Sequence, residues 1–155
     1  MRSIEDVARI AVDAGLGLHK ELGPGLLESV YEAILALKLT RLGLSVERQK
    51  PLKIEYDGFV LDDGFRIDLL LEGRVIIEIR SVETMLPVHS KQLLTYLRLT
   101  GQPLGLLMNF GAATFREGIR RIVNKHDDFA SSRLRVHQIP TPQPASTAGG
   151  TMSSA

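Results

Sequence analysis

No cysteine occurs among the 155 residues, so disulfides and thiolate-held metals are excluded, and the chain suits a reducing cytoplasm. A basic excess is missing as well: 19 Lys and Arg against 18 Asp and Glu leave a formal charge of +1. A global electrostatic footprint for nucleic acid is thereby excluded, and any such binding falls to local patches. No apolar run reaches transmembrane length, and Met1-Arg2-Ser3-Ile4-Glu5-Asp6 has neither the basic start nor the apolar core of a signal peptide. Internal repeats are absent. The expected location is cytoplasmic.

What is present is enough apolar residue, 44%, for one core. The composition predicts a single domain over residues 1–130. From 131 to 155 the chain thins into Pro, Ser, Thr, Ala and Gly, which predicts a disordered tail.

The richest stretch is Phe65 to Val82, FRIDLLLEGRVIIEIRSV. It reads as two strands joined near Glu72-Gly73, crowded with β-branched residues and apolar on both faces, as strands of a helix-covered sheet are. Yet Arg66, Asp68, Glu78 and Arg80 lie inside it. Buried ionised groups must be paired, hydrated or bound to a metal. A two-residue loop at Glu72-Gly73 puts Asp68 and Glu78 on opposite faces; a three-residue loop, Glu72 to Arg74, sets them side by side. Facing carboxylates call for a cation between them and raise one another's proton affinity. The alternative is a square of salt bridges, Asp68 with Arg80 and Arg66 with Glu78. Residue chemistry alone leaves both open.

Around this hairpin the pattern predicts a helix over 3–22, capped by Ser3 and Asp6, with His19 at or near the surface. A second helix over 26–42 is expected to bury Leu27, Val30, Ile34, Leu37 and Leu42. Residues 45–49 and 52–56 alternate as half-exposed strands separated by Pro51, with turns at Asp57-Gly58 and Asp62-Asp63-Gly64. Pro87 starts a third helix that Gly101 ends, and Leu104 to Phe110 reads as a buried strand parallel to its predecessor. The stretch 116–124 fits a capped helix or an edge strand. Its Arg120 and Arg121 belong to the densest basic patch, either solvated or in reach of phosphates. The fold class is α/β: two N-terminal helices, a mixed sheet of four or five strands, and a helix crossing to the last strand.

Asp68 followed by Glu78-Ile79-Arg80 resembles the D…(D/E)-x-K core of the PD-(D/E)XK nuclease superfamily. More narrowly, Gly25-Leu26-Leu27-Glu28-Ser29-Val30-Tyr31 resembles the signature of the GxxExxY family. LGPGLLESVYE, FRIDLLLEGRVIIEIRSVE, PVHSKQLLTYLRLTG and GLLMNFG follow in that family's order. The resemblance implies a restriction-endonuclease-like core and a nuclease acting on nucleic acid, DNA foremost. It implies Mg²⁺ (Mn²⁺ substituting) held by Asp68 and Glu78 with a contact from Glu28. Arg80 would stabilise charge, and Gln92 and Tyr96 would orient groups at the rim in a Gln92-x-x-x-Tyr96 motif. His89 lies on the same helix stripe, as a cap, a substrate contact or an ordinary polar residue, and a homo-oligomer is compatible. Arg80 stands where the family has Lys; it keeps the charge but is never deprotonated. A non-catalytic binding or interaction module on the same fold is the rival implication.

Overall fold

The computed structural model describes residues 1–125 and a strand at 134–138. Helix α1 (Ile4–Leu22) starts as its capping box dictates: Ser3 Oγ accepts from the Asp6 N–H at 3.1 Å, and the Asp6 carboxylate accepts from the Ser3 N–H. It buries Val7, Ala8, Ala11, Ala14 and Leu18. His19 is buried too, a correction to its expected surface or half-buried place. Its ring lies near Phe110 and Phe115, and Nε2 is 2.8 Å from the Ala112 carbonyl.

Helix α2 (Glu28–Arg41) turns a different face inward from the one expected. Tyr31, Glu32, Leu35, Ala36 and Leu39 are buried, whereas Leu27, Val30, Leu37 and Leu42 are exposed. The helix is apolar nearly all round, so periodicity does not select a face. Tyr31 does: its ring stacks on Phe110 at 4.6 Å between centroids, and its hydroxyl donates to the Gly23 carbonyl and accepts from the Leu26 N–H.

Among the described residues six strands form one mixed sheet: β1 (Val46–Tyr56), β2 (Phe59–Leu71), β3 (Val75–Arg80), β4 (Leu104–Asn109), β5 (Ile119–Val123) and β6 (Leu134–Gln138). Their order is β5-β4-β3-β2-β1-β6, and β3 and β4 are parallel, joined by helix α3 (Pro87–Thr100). β1 runs straight through Pro51, which was expected to divide it. Among the described residues its pairing with β6 begins at Leu52, so Pro51 lies just outside that ladder, a place where a strand tolerates proline. Asp62-Asp63-Gly64, expected as a turn, is strand: Leu52 pairs with Phe65 and Ile54 with Leu61, so residues 62–64 stand opposite Lys53 alone as a bulge. β6 falls inside the expected tail and corrects its start. Leu134 and Val136 alternate with Arg135 and His137, the period of a strand, and a neighbouring edge supplies the pairing. Residues 139–155 lie outside the described residues.

The ambiguous stretch resolves into both of its readings. A single turn, α4 (Phe115–Gly118), is capped by Thr114 and leads directly into edge strand β5. Helices α1 and α2 cover one face of the sheet, over Leu69, Leu71, Val75, Ile77, Ile79, Leu104, Leu106 and Met108. Helix α3 covers the other, over Ile67, Leu70, Ile76 and Leu107. The central strands are thus buried on both sides, and Glu78 sits at a position that the alternation assigns to the α3 face.

Candidate active site at the fork of the central hairpin

The β2–β3 ladder pairs Leu71 with Val75, Leu70 with Ile76 and Leu69 with Ile77, which encloses Glu72, Gly73 and Arg74. This is the three-residue register, turned by Glu72 at φ 51° and Gly73 at φ 63°. One step further, Asp68 and Glu78 come opposite each other, and side chains take over from the ladder. The Ile79 N–H donates to Asp68 Oδ2 at 2.8 Å, and the Asp68 N–H donates to Glu78 Oε1 at 3.3 Å. The strands fork here. On the other side of β2, the β1 ladder passes from Arg48–Leu69 to Lys50–Ile67 without a Gln49–Asp68 pair, and Gln49 has φ 48°. The irregularity switches Ile67 to the same face as Leu70, which regular alternation forbids.

Glu78 is 3% exposed. Burial, and then the nearby Asp68 charge, push its carboxyl up to about 9. The expected elevation from facing carboxylates is therefore present, with burial as the larger cause. Arg80 is the cation between them. Its Nη1 lies 3.6 Å from Glu78 Oε2, 3.9 Å from Asp68 Oδ2 and 2.9 Å from the Ile79 carbonyl oxygen. Of the alternative square only the Asp68–Arg80 side is present; Arg66 is exposed, and the ion-pair partner of Glu78 is Arg80. Nη2 of Arg80 donates to Gln92 Oε1 at 2.9 Å, and Gln92 Nε2 is 3.3 Å from the Tyr96 hydroxyl. Tyr96 is buried against the edge of Phe65, and burial holds its phenol above the ordinary value. The Gln92-x-x-x-Tyr96 pair is thus wired to the fork, with Gln92 at the exposed rim.

Two residues that sequence reasoning passed over complete the polar cluster. Gln49 Nε2 donates to Asp68 Oδ1 at 3.1 Å and to Glu32 Oε2 at 2.6 Å. Glu32 is 5% exposed and also accepts from Arg48 Nε at 3.3 Å. Each carried a faint signal: Glu32 is an acid on the arc of Tyr31, Leu35 and Leu39, and Gln49 lies between Arg48 and Lys50, two residues before Pro51. Both signals need the buried face of α2 to be known first.

Glu28 is not brought to this cluster. It is exposed, and its Oε1 accepts from the Ser81 N–H at 3.2 Å while Ser81 Oγ donates to the Leu26 carbonyl. With Tyr31 on Gly23 and Leu26, the Gly25–Tyr31 signature clamps the entry to α2 onto the end of β3. His89 is a cap, its Nδ1 accepting from the Leu86 N–H at 3.1 Å. Arg121 pairs with Glu5 of α1, on the face away from the fork, and Arg120 donates to the carbonyls of Glu117 and Ile119. Arg120 shares the α3 face with Glu78 through the row Glu78–Leu107–Arg120, two strands away.

With this geometry in view, the sequence profile of the PD-(D/E)XK nuclease superfamily matches residues 5–122, from α1 to β5. The chain belongs to that superfamily, and its helix-flanked mixed sheet is consistent with a restriction-endonuclease-like core. No curated protein and no solved structure matches the chain significantly.

Proteins of this superfamily generally use divalent metals, and the residues present can be tested for that chemistry. Among the described residues no three His, Asp or Glu side chains gather as a metal cluster, so the expected trio of Asp68, Glu78 and Glu28 is not formed. Asp68 Oδ2, Glu78 Oε2 and the Ile79 carbonyl do converge, around a group that is already positive. An all-oxygen set with two carboxylates suits Mg²⁺ or Mn²⁺, which keep several water ligands. The donor set fits. No helix among the described residues is long and apolar enough to cross a membrane.

Proposed function

We propose that this protein is a metal-dependent phosphodiesterase that cleaves nucleic acid, DNA foremost, at the fork of β2 and β3. The carrying observation is the convergence of Asp68 Oδ2, Glu78 Oε2 and the Ile79 carbonyl on one point at the rim of a helix-covered sheet. Asp68 and Glu78 would hold Mg²⁺, with Mn²⁺ as substitute. When bound, such an ion neutralises phosphoryl charge and lowers the pKa of water.

The chain's own residues supply position and charge. The Ile79 N–H and the Gln49 amide fix the Asp68 carboxylate, and the Asp68 N–H fixes Glu78, so neither acid reorients during turnover. Arg80 donates to phosphate oxygens as negative charge builds up on them. It cannot accept the proton of the attacking water, which passes instead to solvent or to a phosphate oxygen. Gln92, on the exposed rim, orients the guanidinium, with Tyr96 behind it. Within the superfamily we assign the chain to the GxxExxY group on Gly25, Glu28 and Tyr31; the last two hold the α2 entry loop against β3.

The test is nicking of supercoiled and single-stranded DNA with Mg²⁺ or Mn²⁺. Asp68→Ala should fall to the chelator blank, a loss of roughly a hundredfold or more. Cleavage that survives both chelator and Asp68→Ala would sink the proposal. A second reading, a nucleic-acid-binding module without turnover, is favoured by Arg80 standing at the Lys position. Arg80→Lys decides between them: cleavage raised above that of wild type supports the nuclease, and a variant that binds metal yet stays as inert as Asp68→Ala supports the module.

A further inference from the structure

We propose that Arg80 is a tethered cation that keeps the divalent ion out of the Asp68–Glu78 fork until a phosphodiester draws its guanidinium away. Metal and nucleic acid then bind cooperatively. The inference rests on the metal-dependent reading above and adds a regulation of that same site.

Three oxygens that suit a metal lie around one nitrogen, Arg80 Nη1, at 2.9, 3.6 and 3.9 Å. Two positive centres cannot share one pair of carboxylates at such range without strong repulsion, least of all beside a buried Glu78. The guanidinium must leave for the ion to enter. Its other arm is latched: Nη2 donates to Gln92 Oε1 at 2.9 Å, and Gln92 leans on the Tyr96 hydroxyl, whose ring is fixed on Phe65. A lysine has one nitrogen and cannot fill the fork and hold the latch from separate atoms; the planar fork of arginine does both. The latch lies at the exposed rim, where a phosphodiester would arrive, and phosphate is the preferred two-point partner of guanidinium. A ligand that takes Arg80 outward opens the fork to the cation, and by linkage the cation strengthens that ligand's binding by the same factor.

The experiment measures Mn²⁺ affinity calorimetrically on the full chain, with and without a saturating phosphorothioate oligonucleotide that resists cleavage. Wild type should bind Mn²⁺ weakly alone and roughly 5- to 150-fold tighter with the oligonucleotide. Arg80→Met, which keeps the apolar stem, should bind Mn²⁺ tightly without the oligonucleotide and show no coupling. Gln92→Leu should lie between the two, and it carries the test alone should Arg80→Met not fold. Equal Mn²⁺ affinity in wild type and both variants would overturn the inference while leaving the metal-dependent reading standing. So would coupling that persists in Arg80→Met. Absence of Mn²⁺ binding in every variant, with or without oligonucleotide, would overturn the inference and the reading together.

Discussion

The β2–β3 hairpin is two structures on one pair of strands. From Leu71–Val75 to Leu69–Ile77 it is a closed ladder, buried on both faces. One residue further it is a fork, where Asp68 and Glu78 supply the acceptors and Arg80 the charge. The closed end makes the open end possible. Side chains at the fork are held by a backbone that cannot shift, because Ile76 and Ile77 anchor it in the two opposing cores. Stability and chemistry thus separate along a few residues of one element, and substitutions at either end should read out differently.

The largest effect on stability is expected at the closed end. Ile77 is fully buried in the core beneath α1 and α2, and Ile77→Ala should cost about 2–5 kcal/mol through lost burial and a residual cavity. Urea unfolding measures it. A cost below about 1 kcal/mol would mean that the ladder is not the anchor, and the division between the two ends would fail.

Next is the open end, where the effect is one of pH. The folded state raises the Glu78 carboxyl from 4.5 to about 9, through burial first and the Asp68 charge second. Between those values the folded chain holds a proton that the unfolded chain has released. Metal-free stability should therefore be highest near and below pH 4.5 so far as Glu78 is concerned, and should fall as pH rises towards 9. Glu78→Gln removes that slope and should stabilise the chelated protein at pH 8 by about 1–3 kcal/mol. Denaturation midpoints of both proteins across pH 5 to 9, with chelator present, check it; equal slopes would contradict the raised proton affinity of the buried Glu78.

The hairpin's existence, its two-sided burial and its four charges were legible in the sequence, but its register was not. Hydrophobic pattern permits either loop length. The longer loop is accompanied by a clamp at Glu72, whose N–H donates to the Ser45 carbonyl at 2.9 Å while its Oε1 accepts from the Ser45 N–H at 2.8 Å. That clamp joins the turn to the start of β1, a contact that local pattern cannot carry. The face of α2 was illegible for a different reason: leucines on all sides leave the decision to Tyr31 and its distant partner Phe110. Glu32 and Gln49 followed from that face. Asp68, Glu78, Arg80, Gln92 and Tyr96 were named by the resemblance, and their meeting at the fork depends on the three-residue register that alternation alone does not select.

A smaller prediction sharpens the register itself. Gly73 turns at φ 63°, where a β-branched residue is strained, with nothing within 4 Å of an added Cβ. Gly73→Val should cost about 1–2 kcal/mol from backbone strain alone. Mn²⁺ affinity should stay as in wild type, because the ladder between turn and fork holds the register. Altered metal binding in Gly73→Val would show that the turn, rather than the ladder, sets the fork.

The smallest effect is expected at Glu28, and it separates two roles for the acid of the Gly25–Tyr31 signature. Glu28 accepts from the Ser81 N–H at 3.2 Å, just beyond Arg80, and is exposed. Glu28→Gln keeps an acceptor oxygen at the same reach, so the clamp on β3 should weaken by only about 0.5–1.5 kcal/mol. A metal ligand behaves otherwise, since an amide replaces a charged oxygen and removes much of its attraction for Mg²⁺. Calorimetry with Mn²⁺ should give Glu28→Gln the wild-type affinity. Glu32→Gln is the comparison: it alters the acid that reaches Asp68 through Gln49 and should disturb the carboxylate's orientation, lowering Mn²⁺ affinity while Glu28→Gln does not. A tenfold loss in Glu28→Gln with Glu32→Gln unaffected would reverse the assignment and make the signature's acid a ligand after all.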